Sequence, residues 1–206
     1  MTQFESANPS VVRSIRQRDL LNTWLRTLRK PQQLPAVADF RPERIADELA
    51  DMMSFDVEGE GTAARFVITH EGARLTATYG NDHVAPEMRV NRYLDDAIGP
   101  DRYARVVPSY LACISHCRPT YSVAMVQDAD GKEVSYERLL LPFGSGTRVE
   151  KIIGSYKAIS IDGGFKVHNL MGRRPKSLPI GVVNAVIDRE MARRPVGGTD
   201  EIIEFG

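Results

Sequence analysis

The chain has 206 residues, 42% of them hydrophobic and 26% charged, which suits a globular core held without disulfide or metal staples. Its 27 basic and 27 acidic side chains cancel, so the basic footprint of a duplex nucleic-acid binder is missing, and two cysteines cannot build a disulfide framework. No apolar run approaches the ~20 residues of a membrane span, and Met1 to Ser6 lack a secretory pattern, so a cytoplasmic chain with reduced thiols is expected.

Residues 1–9 read as a loose polar tail. Ser10 is placed to cap an amphipathic helix over 10–29, with Val12, Ile15, Leu21, Trp24, Leu25 and Leu28 at helical spacing. Arg13, Arg16, Arg18, Arg26 and Arg29 lie between them and read first as a solvated face. Trp24, Leu25 and Leu28 are the candidate surface for a partner or a second copy of the chain. Pro31 ends this N-terminal unit of residues 1–30. A connector follows, then a short helix from Arg41 to Ala50 with Ile45 and Leu49 inward. Met52, Phe55 and Val57 predict a strand, and Arg65 to Thr69 its hairpin partner across Gly59 and Gly61.

Short helices are expected over Glu71 to Tyr79 and Tyr93 to Ile98. A longer one runs from Asp101 to Cys117, kinked or restarted at Pro108. Three strands come next: Thr120 to Gln127, Glu133 to Phe143 and Arg148 to Ile159. Asp128-Ala129-Asp130-Gly131 and Gly144-Ser145-Gly146-Thr147 are their turns. The mixed alternation of the third strand suits a sheet covered on both faces. Residues 161–206 read as an extension with a basic loop at Arg173, Arg174 and Lys176 and a helix from Ile180 to Met191.

The element order resembles a PAS domain, and specific residues sharpen the likeness. Gly72-Ala73-Arg74-Leu75 leads to Tyr79-Gly80-Asn81-Asp82 after the second strand, and Arg118-Pro119-Thr120 opens the third. Asp128, Asp130 and Gly131 precede Tyr136-Glu137-Arg138-Leu139-Leu140-Leu141-Pro142, and Gly154 sits in the last strand. Residues 20–160 are thus similar to the PAS-like family of stand-alone alphaproteobacterial proteins, whose signature strand is this Tyr-Glu-Arg run. The chain departs from that family at Thr69-His70-Glu71, where an Arg is usual, and at Asn81 to Pro86, where a Gly is usual. The resemblance implies an α+β fold, with a five-stranded antiparallel sheet under helices on one face, within residues 31–160. It implies sensing or protein interaction, a small-molecule pocket and a homodimer, with no catalysis.

Tyr79, Met88, Tyr93, Tyr103, Tyr110, Tyr121, Met125 and Tyr136 are the residues expected to line a cavity, because tyrosine joins an apolar body to a hydrogen-bonding tip. Arg138 either forks onto a ligand carboxylate or phosphate, or pairs with Asp82, Asp95 or Asp96 to pin helix to sheet. Cys113, His116 and Cys117 share a helix face, which suits soft-metal ligation, haem ligation by His116, or thiol oxidation; buried core thiols are the simpler reading. No Gly-x-Ser-x-Gly, phosphate loop or His-Glu-x-x-His occurs, so an enzyme is not expected. The cofactor is unknown. The leading expectation is a PAS-like sensor or adaptor for a small molecule or second messenger and a protein partner. The alternatives are a constitutive dimerisation module with a filled core and, more weakly, a redox or metal sensor through Cys113 and Cys117.

Overall fold

The computed structural model describes residues 3–28, 33–81, 83–161, 163–171 and 178–188. Strand β1 (Glu5–Ala7) and a short 3-10 turn at Pro9–Val11 precede helix α1 (Ile15–Thr27). The helix starts later than the apolar spacing predicts. Asn8 caps the 3-10 turn, the backbone is extended at Val12, and Ser14 restarts the chain as the true N-cap by accepting from Gln17 N. Gln17, Leu20, Leu21 and Trp24 form the buried stripe, at i, i+3, i+4 and i+7. Ile15, expected inside, is 69% exposed.

Helix α2 (Ile45–Glu48) continues into a 3-10 turn at Leu49–Asp51. Here the expected orientation holds for Ile45, which packs half-buried against the core, and fails for Leu49. Leu49 is exposed, whereas Glu48 and Asp51 are buried. The reason is electrostatic: both carboxylates reach Lys157 Nζ at 2.6 Å, and Arg74 meets Asp51 at 2.5 Å. Pairing of this kind offsets the cost of taking these charges out of water.

Strands β2 (Met52–Glu58) and β3 (Arg65–Glu71) form the expected hairpin. Helices α3 (Ala73–Tyr79), α4 (Leu94–Ile98) and α5 (Pro100–His116) follow. Gly72 starts α3 because a Cβ there would collide with the carbonyls of Leu49 and Ala50. Helix α5 runs through Pro108 without a restart, with Pro100 in its first turn and Gly99 before it.

Strands β4 (Thr120–Gln127), β5 (Glu133–Ser145) and β6 (Arg148–Ser160) lie where the turns place them. The sheet has seven strands, not five, in the order β1-β7-β4-β5-β6-β2-β3. The expected helix at 180–191 is instead strand β7 (Ile180–Ile187), antiparallel to β4, and its last residues lie beyond the described ones. Val182, Val183, Val186 and Ile187 fit a helical stripe, but all are β-branched, and pairing with β4 satisfies an otherwise open edge. The expected loose tail also joins the sheet: Glu5–Ala7 pairs in parallel with Ala185–Ile187. The described part of 161–206 is therefore partly built into the main sheet.

Strand β5 is central and buried on both faces. Tyr136, Arg138 and Leu140 alternate with Glu137, Leu139 and Leu141, and all six are buried. Helix α1 covers the Glu137 side, with Trp24 Nε1 donating to Pro142 O at 2.8 Å and Gln17 Nε2 to Ser155 O at 2.9 Å. Helices α3 and α5 cover the Arg138 side. Each buried leucine of α1, Leu20 and Leu21, contributes about 1.5–3 kcal/mol of transfer free energy to this docking. Among the described residues, no helix is long and apolar enough to cross a membrane.

Candidate ligand site between the helices and the sheet

Arg138 and Tyr136 project from the same face of β5, and register places Tyr156 of β6 directly opposite Arg138. Gly154 lies two residues before Tyr156; a Cβ there would sit 2.7 Å from the Tyr156 hydroxyl, so only glycine leaves room for that ring. From above, α5 contributes Ser109 and Tyr110, and α3 contributes Tyr79. Tyr110 and Tyr156 hydroxyls are 2.7 Å apart, and Tyr136 donates to Tyr79 at 3.4 Å. Phe55 and Phe66 hold the Tyr110 ring with centroids at 5.2 and 5.0 Å.

The guanidinium of Arg138 sits inside this cage, 8% exposed. Its Nη1 donates to Ser109 Oγ at 3.2 Å, and its Nε has no hydrogen-bond partner among the described residues. The expected carboxylate pairing does not occur with Asp95 or Asp96. Both face Arg65, at 2.9 and 3.5 Å, and Asp82 lies outside the described residues. Burial pulls the guanidinium pKa down, the surrounding tyrosine oxygens pull it up, and the balance is upward, so Arg138 stays charged. Burial likewise pushes the Tyr110, Tyr136 and Tyr156 hydroxyls up, so they remain neutral at pH 7. The Tyr110 and Tyr156 rings lie 6.0 and 5.9 Å from the guanidinium carbon. Even a well-desolvated cation–π contact contributes only about 2 kcal/mol, against several kcal/mol for taking an ion out of water. The rings alone do not compensate the charge.

Beside the cage is a cavity of about 70 Å³, walled by Leu75, Thr78, Tyr136, Tyr156, Phe165 and Val167. Arg74, Asp51 and Lys157 also line it as a paired charge cluster.

Of the residues expected to line a pocket, the structure gathers Tyr79, Tyr110, Tyr136 and Arg138. It does not bring in the others. Tyr121 points to the opposite face, where its hydroxyl donates to Glu137 Oε2 at 2.8 Å. Tyr93 lies at the surface, donating to Glu58 Oε2 at 2.6 Å beneath the Arg65 guanidinium. Met88 is 52% exposed on a 3-10 turn, and Tyr103 and Met125 are half-buried away from Arg138. Tyr156 and Ser109 complete the cage and escape a sequence reading, since only strand register and helix packing bring them to Arg138.

Trp24 is buried against its own sheet, and Leu25 and Leu28 pack partly against the core. Of the surface expected there for a partner, Trp24 is taken up by packing on its own sheet, whereas Leu25 and Leu28 stay partly exposed. The two thiols diverge: Cys113 Sγ faces Leu140 O and Cys117 Sγ faces Thr147 O. Burial pushes both thiols up, which lowers the reactive thiolate fraction. No group of three His, Cys, Asp or Glu suited to a metal occurs among the described residues. The basic loop at 173–176 lies outside the described residues. No known protein-family model matches this chain, and no curated protein matches it.

Proposed function

We propose that the chain is a non-catalytic, PAS-like sensor or signalling adaptor. A small molecule binds at the tyrosine cage, and α1 on the other face of the sheet relays its presence to a protein partner. The observation that carries this reading is Arg138, a buried cation in a ring of tyrosines with an unpartnered donor. Native proteins leave few buried donors unpaired, and each such exception calls for an explanation, a bound ion among them. The PAS-like part is supported by the antiparallel run β4-β5-β6-β2-β3 within the sheet, and by α3, α4 and α5 falling in sequence between β3 and β4. The route to α1 is short, since Glu137, next to Arg138, accepts from Ser14 N at the start of α1 at 3.3 Å.

A second reading, a constitutive interaction module with a filled core, is favoured by the small size of the cavity and the contacts between the four tyrosines. Native mass spectrometry of protein purified from its own host separates the two. The sensor reading predicts a bound small-molecule mass that is released on denaturation. An apo spectrum that is unchanged when host metabolite extract is added back contradicts it.

A further inference from the structure

We propose that the cage binds a small oxyanion, either the carboxylate of a short metabolite or inorganic phosphate, against the Arg138 guanidinium. This deepens the sensor reading and rests on it. Charge selects the ligand class. Arg138 is buried and charged, and Ser109 Oγ is its neutral hydrogen-bond partner. The candidate carboxylates are engaged elsewhere. Asp95 and Asp96 face Arg65, Glu71 faces Arg89, and Glu137 points through the sheet to Tyr121 and Ser14. The tyrosine hydroxyls around it are neutral donors and acceptors. A buried guanidinium, a free Nε–H and a circle of hydroxyls complement an oxyanion, which accepts from all of them. A neutral ligand would leave the charge uncompensated.

Size narrows the class. The adjoining cavity of about 70 Å³ is smaller than the ~150 Å³ that holds benzene, so the group that enters has few heavy atoms. Tyr136 and Tyr156 wall this space and also neighbour Arg138, which is not itself part of the cavity wall, so the proposed anion reaches the guanidinium past these two rings. Arg74 and Lys157 at the cavity are already matched by Asp51 and Glu48, which leaves Arg138 as the cation that selects an anion.

The test is the side-chain Nε–H resonance of Arg138 in the 15N-labelled full chain. It is assigned by its loss in Arg138→Met and titrated with sodium acetate and, separately, sodium phosphate, with chloride holding ionic strength constant. The expected result is a saturable shift of that resonance in at least one titration, and the responding arm identifies the source. Absence of saturation in both arms overturns the proposal. Should Arg138→Met not fold, Arg138→Lys supplies the assignment, and the wild-type titration still decides. A neutral molecule retained in native mass spectrometry, with no anion response, overturns this proposal and leaves the sensor reading standing. No retained molecule and no response removes both.

Discussion

Glu137 and Arg138 are consecutive residues of β5 that carry opposite charges to opposite faces of one sheet. The Glu137 carboxylate receives Tyr121 Oη at 2.8 Å and Ser14 N at 3.3 Å, at the start of α1. The Arg138 guanidinium lies in the tyrosine cage under α5. A shift of β5 at the cage therefore reaches the anchor of α1 through a single peptide unit. A ligand moves α1 through this link only as far as its affinity differs between the docked and undocked arrangements.

The anchor is testable by itself. Replacing Glu137 by Ala strips the Ser14 N–H and the Tyr121 hydroxyl of their acceptor. Buried hydrogen bonds to charged groups are worth about 1.5–3 kcal/mol, and a loss of that size is expected in urea unfolding. Tyr121→Phe removes the bond to Glu137 and also the acceptor of Arg13 N at 3.1 Å, so a loss of similar size is expected. Equal stability of Glu137→Ala and wild type would refute the anchor.

Trp24 is the only tryptophan in the chain, so its fluorescence reports on α1 alone. Buried against the sheet, it is expected to emit to the blue of free indole and to be shielded from iodide. Trp24→Ala is expected to destabilise by ~3–5 kcal/mol, as for other buried aromatic truncations. Trp24→Phe keeps most of the packing, loses the bond to Pro142 O, and should lose about 1 kcal/mol. Red-shifted, freely quenched emission from folded wild type would show that α1 is not docked.

Gly154 makes room for Tyr156, so Gly154→Ala is expected to displace that ring from the cage. The expected destabilisation is about 1–3 kcal/mol, the range for overpacking a filled site. The same variant is expected to weaken any anion response of Arg138. Unchanged stability together with an unchanged anion response would mean that Tyr156 does not shape the site.

Two carboxyl groups give opposite pH signatures. Asp128 accepts from the backbone N–H groups of Lys166, Lys132 and Asp130 at 2.9, 2.8 and 2.9 Å, the first of these weighing most, and its pKa is lowered from 3.8. Its stabilisation is present above 3.8 and disappears as pH falls through the lowered value. The stability gap between wild type and Asp128→Asn should therefore be flat near neutrality and shrink in acid. In Glu71, desolvation outweighs the facing Arg89 and raises the carboxyl above 4.5. Its contribution is therefore fully present below 4.5 and falls as pH rises through the raised value. A gap for Asp128→Asn that widens in acid would contradict the first assignment.

Strands β4, β5 and β6 are legible in the sequence because Asp128 to Gly131 and Gly144 to Thr147 punctuate them with turn chemistry. Cover on both faces of the sheet is likewise legible in the mixed alternation of β6, whereas the burial of Glu137 and Arg138 in β5 is not. Nor is the fate of 180–187. Paired valines at 182, 183 and 186 satisfy both periodicities, and the open edge of β4 decides between them. The stripe of α1 is misread because it begins at Gln17, a polar residue buried only because Ser155 O receives its amide. Tyr79, Tyr110, Tyr136 and Arg138, grouped by chemistry alone, do lie together. Their neighbour Tyr156 is not legible in this way, because its place depends on pairing β6 with β5, with Ala158 against Tyr136 and Tyr156 against Arg138. The wrong partner for Arg138 has the same origin: Asp95 and Asp96 lie on α4 near Arg65 of β3, a proximity set by packing.

The central claim is that an occupied cage acts on α1. Hydrogen–deuterium exchange tests it most directly, comparing the chain as purified from its host with the same chain refolded free of small molecules. Slower exchange is expected in α3, α5 and the middle of β5 in the purified form, accompanied by a change in α1 on the other face of the sheet. Identical exchange in both forms, or a change at the cage that leaves α1 untouched, would contradict it.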